Sequence, residues 1–400
     1  MMAGADICAR LGVRRRINAA GTLTRLGGSL MAPQVMEAMA QASRASVDIA
    51  ELQAAASARI AQATGAQAGI VTSGAAAALT LAAAACMTRW NIARMSALPH
   101  AGSFPHEILL HRSQRTGYSR AFEAAGARLV DFGHNDRSTG AGVRGIEPWE
   151  IEAAITERTA ALAFSATPDN GADLALAARI CSARGIPVIV DAAAQLPPKS
   201  NLRRFIERGA DLVAFSGGKA IGGPQASGIL AGRRDLVGSA LVQQIDMDIS
   251  PESWEPPGLI DREAMGGVPH HGIGRGFKVG KEEIVGLIVA LERFCEADDG
   301  AANAALGARL HAIAEALADC PGVAARLRPA AETGRVPVLE LSLDSDALAF
   351  SRDLQRRDPP IHLSERHATR GILLIDPQAL QPDDDAEIAT AIRALSRKNL

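Results

Sequence analysis

From residue 68 to residue 231 the chain repeats one pattern: a short apolar run, a polar residue at its end, then a helical stretch. Runs at 68–72, 107–111, 127–132, 159–165, 186–191 and 211–215 read as strands, and 74–88, 119–125, 148–157, 172–184 and 202–208 read as the helices between them. Strands that are apolar along their whole length, each separated by a helix, predict an α/β fold with a mostly parallel sheet covered on both faces. Ligands bind such sheets at the carboxyl ends of the strands. Ser73, Arg112, Thr167, Asp191 and Ser216 all fall at those ends.

One such end carries an amine. Phe215-Ser-Gly-Gly-Lys-Ala-Ile-Gly-Gly223 places Lys219 in a glycine-rich turn between the run at 211–215 and a second apolar run at 226–231. A primary amine on a loop between two buried strands suits imine formation with a carbonyl cofactor. Glycines there let the backbone approach a flat ring. Only Lys199, Lys219, Lys278, Lys281 and Lys398 supply an amine, because the other 37 of the 42 basic residues are arginines, which form no imine.

Three features fit pyridoxal 5′-phosphate (PLP). Lys219 would carry it, and Asp191, ending the run Ile186-Pro-Val-Ile-Val-Asp191, would pair with the pyridine nitrogen. Ser73, Gly74 and Ala75, at a strand–helix junction, would hold the phosphate with Ser216. The separation of 28 residues from Asp191 to Lys219 leaves room for one helix and one strand, so the two can meet on neighbouring strand ends. No GxGxxG follows the first strand, which argues against a nucleotide-binding Rossmann protein.

A formal charge of −2 gives no reason to expect a nucleic-acid or membrane partner. Five scattered cysteines show neither a CxxC pair nor metal spacing and suit a cytoplasmic protein. His106 and His111 read as strand-end or loop residues, His270 and His271 in the glycine-rich loop could line the pocket, and no metal site is expected from the spacing. The start of the chain lacks the apolar run of a signal peptide, and 75–87 is too short to span a membrane. Three domain segments are expected: an arm and helix at 1–45 packing on a small domain, a large cofactor-binding domain at 46–276, and a linking helix with a small α+β domain at 277–400.

Val190-Asp-Ala-Ala-Ala-Gln-Leu-Pro-Pro198, Phe215-Ser-Gly-Gly-Lys219, Ile273-Gly-Arg-Gly-Phe-Lys-Val-Gly-Lys-Glu-Glu283 and Ile17-Asn-Ala-Ala-Gly-Thr-Leu23 resemble the selenocysteine-synthase-like branch of the fold-type I PLP enzymes. Within that branch the chain is most similar to the D-glucosaminate-6-phosphate ammonia-lyase-like group. The resemblance implies a seven-stranded sheet, a small C-terminal domain, and a homodimer or higher homo-oligomer with shared active sites. It implies that Lys219 is both the Schiff-base lysine and the proton-transfer base. Thr167 and Gln195 would border the cofactor, Arg112 would lie near the substrate, and Arg275 with Lys278 would bind an anionic group. Arg366 or Arg370 would hold the substrate carboxylate. Selenocysteine synthase itself carries an N-terminal tRNA domain. This chain begins almost at the core motif, so a small substrate is expected rather than a tRNA. The expected reaction is α,β-elimination from a hydroxylated, anionic amino acid or amino sugar acid, giving a 2-keto acid and ammonia. The same residues would also serve a racemase, an aldolase or a β-replacement transferase, and a non-catalytic PLP-fold binding protein is a further reading.

Overall fold

The computed structural model describes residues 7–135 and 145–397, so Lys398 lies outside the described residues. Two compact units form, one from residues 1–30 with 297–400 and one from 31–296. The strands run in chain order as β1 (Ile17–Ala19), β2 (Ala68–Thr72), β3 (Glu107–His111), β4 (Arg128–Phe132), β5 (Thr159–Ser165), β6 (Val188–Asp191), β7 (Leu212–Ser216), β8 (Gly228–Gly232), β9 (Val323–Arg328), β10 (Val338–Leu343), β11 (Ile361–His367) and β12 (Ile372–Ile375).

The larger unit holds a seven-stranded sheet in the order β2-β8-β7-β6-β5-β3-β4. Neighbours from β7 to β4 pair in parallel, while β8 runs antiparallel to both β2 and β7. Alternate residues feed two cores. Ile70, Ile108, Leu110, Ile189 and Leu230 pack with the helices Ala75–Thr88 and Arg234–Gln244 on one face. Val71, Leu109, Val188, Val190 and Phe215 pack with Ile49–Thr64, Gly171–Ser182 and Lys281–Glu296 on the other. Burial on both faces explains why these strands read as unbroken apolar runs. Helix Ala75–Thr88 is buried from Ala77 onward, so it lacks a polar stripe. Among the described residues no helix is long and apolar enough to cross a membrane.

The smaller unit is a five-stranded sheet, β1-β11-β12-β10-β9. β1 lies parallel to β11, and the other neighbours are antiparallel. Leu339, Leu341, Leu363, Leu373 and Ile375 meet Leu310, Ile313, Phe350 and Ile388 of its helices.

The division falls at 30/31 and 296/297, whereas the sequence suggested 45/46 and 276/277. The helix Pro33–Ala42 belongs to the larger unit because it packs against Lys281–Glu296, where Gly286 leaves room for Met39: a Cβ at Gly286 would lie 2.7 Å from Met39 Cγ. The linking helix is therefore part of the larger unit's core rather than of the smaller unit.

Candidate active site

β8 is the reason the lysine sits where it does. It returns antiparallel from the carboxyl edge of the sheet, so the β7–β8 turn, which contains Lys219, stands at the edge where the parallel strands end. Thr72, Gly228 and Ser216 share the outermost rung there, and Ser165, Asp191 and Ala214 share the rung beside it. The turn is closed by its own backbone: Gly217 N–H donates to Ser227 O at 2.8 Å and Gly223 N–H to Gly217 O at 2.9 Å. Lys219 is half-buried in it.

Asp191 closes β6 and is also half-buried. Burial pushes its carboxyl above the usual carboxylate range, while the Ala193 N–H, 3.0 Å from Oδ1, and the charge of Lys219 pull it back. The acid and the amine therefore act on one another electrostatically across the ends of β6 and β7.

At the end of β2, beside that outermost rung, stands an open helix N-terminus, the kind of corner that can receive an anion. Gly74 caps the helix Ala75–Thr88 with φ +97°, and a Cβ built on it would meet nothing within 4 Å. The N–H groups of Ala75, Ala76 and Ala77 have no partner within the helix, because its first turn has no preceding carbonyls to bond. The cap is held by close contact: a Cβ on Gly228 would lie 2.5 Å from Gly74 C and 2.6 Å from Ala75 N. Ser73, expected beside the phosphate, has a partner elsewhere in the chain. Its hydroxyl donates to Phe277 O at 2.7 Å, so its proton is committed to a carbonyl and the donors left at this corner are backbone amides.

The loop after β5 is fixed by two side chains the sequence did not single out. Gln114 Oε1 accepts from Ser165 N at 3.0 Å, and Asn170 donates to Ser165 O at 2.9 Å while accepting from Thr167 N at 2.8 Å. Both sit in turns where a polar residue is unremarkable, so only the fold gives them away. A cavity of about 260 Å³ at the ends of β3 and β5 is lined by His111, Ser113, Gln114, Ser165, Thr167 and Asn170. Burial lowers the basicity of His111 against the pull of Glu150 and Asp173; its Nδ1 lies 2.7 Å from Ser113 Oγ, and its ring packs edge-on to Phe132. A larger cavity of about 650 Å³ lies in a groove lined by Arg59, Lys199, Leu202, Arg203, Leu291 and Cys295, none of them a predicted site residue.

The remaining candidates divide. Gln195 follows β6, its N–H bonded to Ala192 O at 3.0 Å and its carbonyl accepting from Asn201 Nδ2 at 2.7 Å. Arg112 is exposed on the turn after β3, and Lys278 is exposed before Lys281–Glu296. Arg275 is held by Asp246 at 2.5 Å, in an exposed cluster with His271 and Asp248. Arg275, expected to bind an anionic group together with Lys278, has Asp246, 29 residues upstream, as its ion-pair partner here. Arg370 sits exposed on the turn Ala368–Arg370 of the smaller unit.

Residues 180–247, which contain both Asp191 and Lys219, match the family model described as SelA: L-seryl-tRNA selenium transferase. Over 96% of its length the chain is 30% identical to the 5′-C-glycyluridine monooxygenase-decarboxylase of Streptomyces sp, covering 90% of that protein. It belongs to the selenocysteine-synthase-like branch of the fold-type I PLP-dependent enzymes. Within this PLP-dependent branch it is 28% identical to the D-glucosaminate-6-phosphate ammonia lyase of Salmonella typhimurium (strain 14028s / SGSC 2262) over 98% of both chains. The solved structure of a D-glucosaminate-6-phosphate ammonia-lyase superposes with a TM-score of 0.81 at 27% identity, covering 99% of each chain. That fold-type I likeness spans both sheets.

Proposed function

We propose that this protein is a PLP-dependent lyase that removes a β-hydroxyl from a hydroxylated, anionic amino acid or amino sugar acid, releasing a 2-keto acid and ammonia. The observation that carries the reading is the buried Asp191 carboxyl in the field of Lys219, at the strand edge that also holds the open helix N-terminus at Gly74. Amine, buried acid and anion cradle are the three things the cofactor needs of a protein, so these residues fit it.

Bound there, PLP would supply an electron sink for the charge left at a substrate's α-carbon. Asp191 would hold a proton on the ring nitrogen. The amides of Ala75, Ala76 and Ala77, with the Ser216 hydroxyl, would hold the phosphate. Lys219 Nζ would attach the cofactor at rest and, once released, take the substrate's α-proton and later give a proton to the leaving hydroxyl. Thr167 and Gln195 would flank the ring, and Arg112, Arg275 and Lys278 would orient an anionic group. Such an enzyme would work in the cytoplasm on a small molecule, as a homo-oligomer with shared sites.

The relatives are named for an ammonia lyase and for a monooxygenase-decarboxylase, so the bond broken at the α-carbon is the point to test. PLP-loaded protein is screened against β-hydroxy amino acids and amino sugar acids. Release of keto acid and ammonia together is expected. Carbon dioxide, aldehyde, or α-deuterium uptake without keto acid would replace the lyase reading with a decarboxylase, an aldolase or a racemase. Lys219→Ala should lose the visible absorbance that borohydride abolishes in the parent.

A further inference from the structure

The cavity at the ends of β3 and β5 begins one strand away from Asp191. In register, Ser165 of β5 pairs with Asp191 of β6, and neighbouring strands lie about 4.8 Å apart. The sheet continues β7-β6-β5-β3, so the cavity extends along the carboxyl edge on the side of Asp191 away from the lysine turn. A substrate whose α-carbon meets Lys219 would lay the rest of its chain past Thr167 and into this space. At about 260 Å³ it suits a short chain, being smaller than the usual pocket for a drug-sized ligand.

Its lining groups have hydrogen-bonding capacity to spare. Gln114 spends its Oε1 on the Ser165 N–H, which fixes the amide's orientation, and among the described residues its Nε2 has no partner. Thr116 Oγ1 accepts from Tyr118 N–H at 3.2 Å and keeps its own proton to give. The Thr167 N–H is taken by Asn170, and its hydroxyl has no partner among the described residues. Asp173 carries a carboxylate with neither hydrogen bond nor ion pair among those residues. An alcohol both donates and accepts hydrogen bonds. Amide and hydroxyl donors with a carboxylate acceptor, around one small space, match successive hydroxyls on a carbon chain.

Charge decides against a phosphate. Among the described lining residues there is neither lysine nor arginine, and the carboxylate of Asp173 is present. Asp173 and Glu150 both stand near enough to favour a proton on His111, against the burial that disfavours it. A phosphate monoester brings about −1.5 to −2 charges at neutral pH and would meet these carboxylates. A hydroxyl would instead donate to Asp173 directly.

We infer that this cavity reads the tail of the substrate, a short hydroxylated chain without phosphate, held by Gln114, Thr116 and Thr167 as donors and by Asp173 as acceptor. The inference rests on the lyase reading for the place of the α-carbon. It narrows the amino sugar acid to one whose carboxylate is its anionic group, which Arg112, Arg275 and Lys278 would then orient.

The test is a calorimetric titration of PLP-loaded full-length protein with hydroxy acids that lack an amine: gluconate, 6-phosphogluconate, and glycolate, which has no tail. Gluconate should bind about tenfold or more tightly than either of the others. Asp173→Asn and Thr116→Val should each cut that preference severalfold. Asp173→Lys should reverse it, so that 6-phosphogluconate binds more tightly than gluconate, a gain that a merely disturbed fold does not produce. Equal or tighter binding of 6-phosphogluconate by the parent, no advantage of gluconate over glycolate, or a preference that Asp173→Asn and Asp173→Lys both leave intact overturns the inference. The two readings fail separately. If gluconate is preferred but no amino sugar acid yields keto acid and ammonia, the lyase reading falls and the cavity's preference stands. If 2-amino-2-deoxygluconate 6-phosphate yields keto acid faster than its unphosphorylated form, the inference falls and the lyase reading stands.

Discussion

The Asp191 carboxyl is caught between burial, which favours its protonated form, and the charge of Lys219, which favours its ionised form. Burial wins, so its pKa in the folded chain lies above the unfolded value. As pH rises between those two values the unfolded chain gives up the proton first, and stability falls through that window. At neutral pH the full cost of a buried charge is present. Asp191→Asn should therefore raise the melting temperature of cofactor-free protein at pH 7 by roughly 1–2 °C, with the gain shrinking as pH drops toward 4. The same variant should lose about 100-fold or more in turnover, because the ring nitrogen loses its anionic partner. Calorimetric melts at both pH values and a turnover assay check the pair of outcomes; an unchanged turnover would remove Asp191 from the site.

Ser73 tests which groups would hold the phosphate. Its hydroxyl already donates to Phe277 O, so the amides of the following helix turn are the available donors. Ser73→Ala should leave PLP affinity within about threefold while costing about 0.5–1.5 kcal/mol of stability for one lost hydrogen bond. Absorbance titration with PLP and urea melts give the two numbers. A tenfold loss of affinity would mean that the hydroxyl leaves Phe277 and reaches the cofactor.

These two residues show what the sequence makes legible. Asp191 ends an apolar strand, and Lys219 follows another, so local pattern and the strand-end rule place both at one edge. Strands 68–72, 107–111 and 159–165 were readable to their ends because burial on both faces leaves an unbroken apolar run. The Ser73 bond was hidden because its acceptor is 204 residues away. The smaller sheet was harder for the same reason. β1 is three residues long and pairs with β11, far along the chain. β9 and β11 interrupt their apolar residues with arginine, and in β11 also with histidine and glutamate, so neither shows an unbroken apolar run. The helix Arg234–Gln244 went unread because it is buried from Leu236 to Gln244, polar glutamines included, and shows no apolar stripe.

The buried thiols give a check on the core that does not depend on function. Burial pushes the thiols of Cys86 and Cys181 up to about 12, so almost no thiolate is present at pH 8. Cys8 is exposed. Iodoacetamide at pH 8 should modify Cys8 within minutes and spare Cys86 and Cys181 until the protein is unfolded in guanidinium. Peptide mass spectrometry reads the result. Rapid labelling of Cys86 in native protein would mean that helix Ala75–Thr88 is not packed as described.

Gly228 joins the lysine turn to the anion cradle, and a single methyl group there should disturb both. Its Cβ position falls on backbone atoms, Gly74 C and Ala75 N, which cannot rotate away as a side chain could. Gly228→Ala must therefore push the first turn of helix Ala75–Thr88 off β8 or bend β8 itself. Overpacking of this kind costs about 1–3 kcal/mol, and the shift falls on the amides that would face the phosphate. PLP affinity should drop by about tenfold or more while the far-ultraviolet spectrum stays that of a folded protein. Ala76→Gly, which alters the same turn without adding bulk, should cost about 1 kcal/mol from helix propensity alone and leave affinity closer to the parent. If Gly228→Ala binds PLP as tightly as the parent, the contact between β8 and the helix cap does not set the cradle's shape.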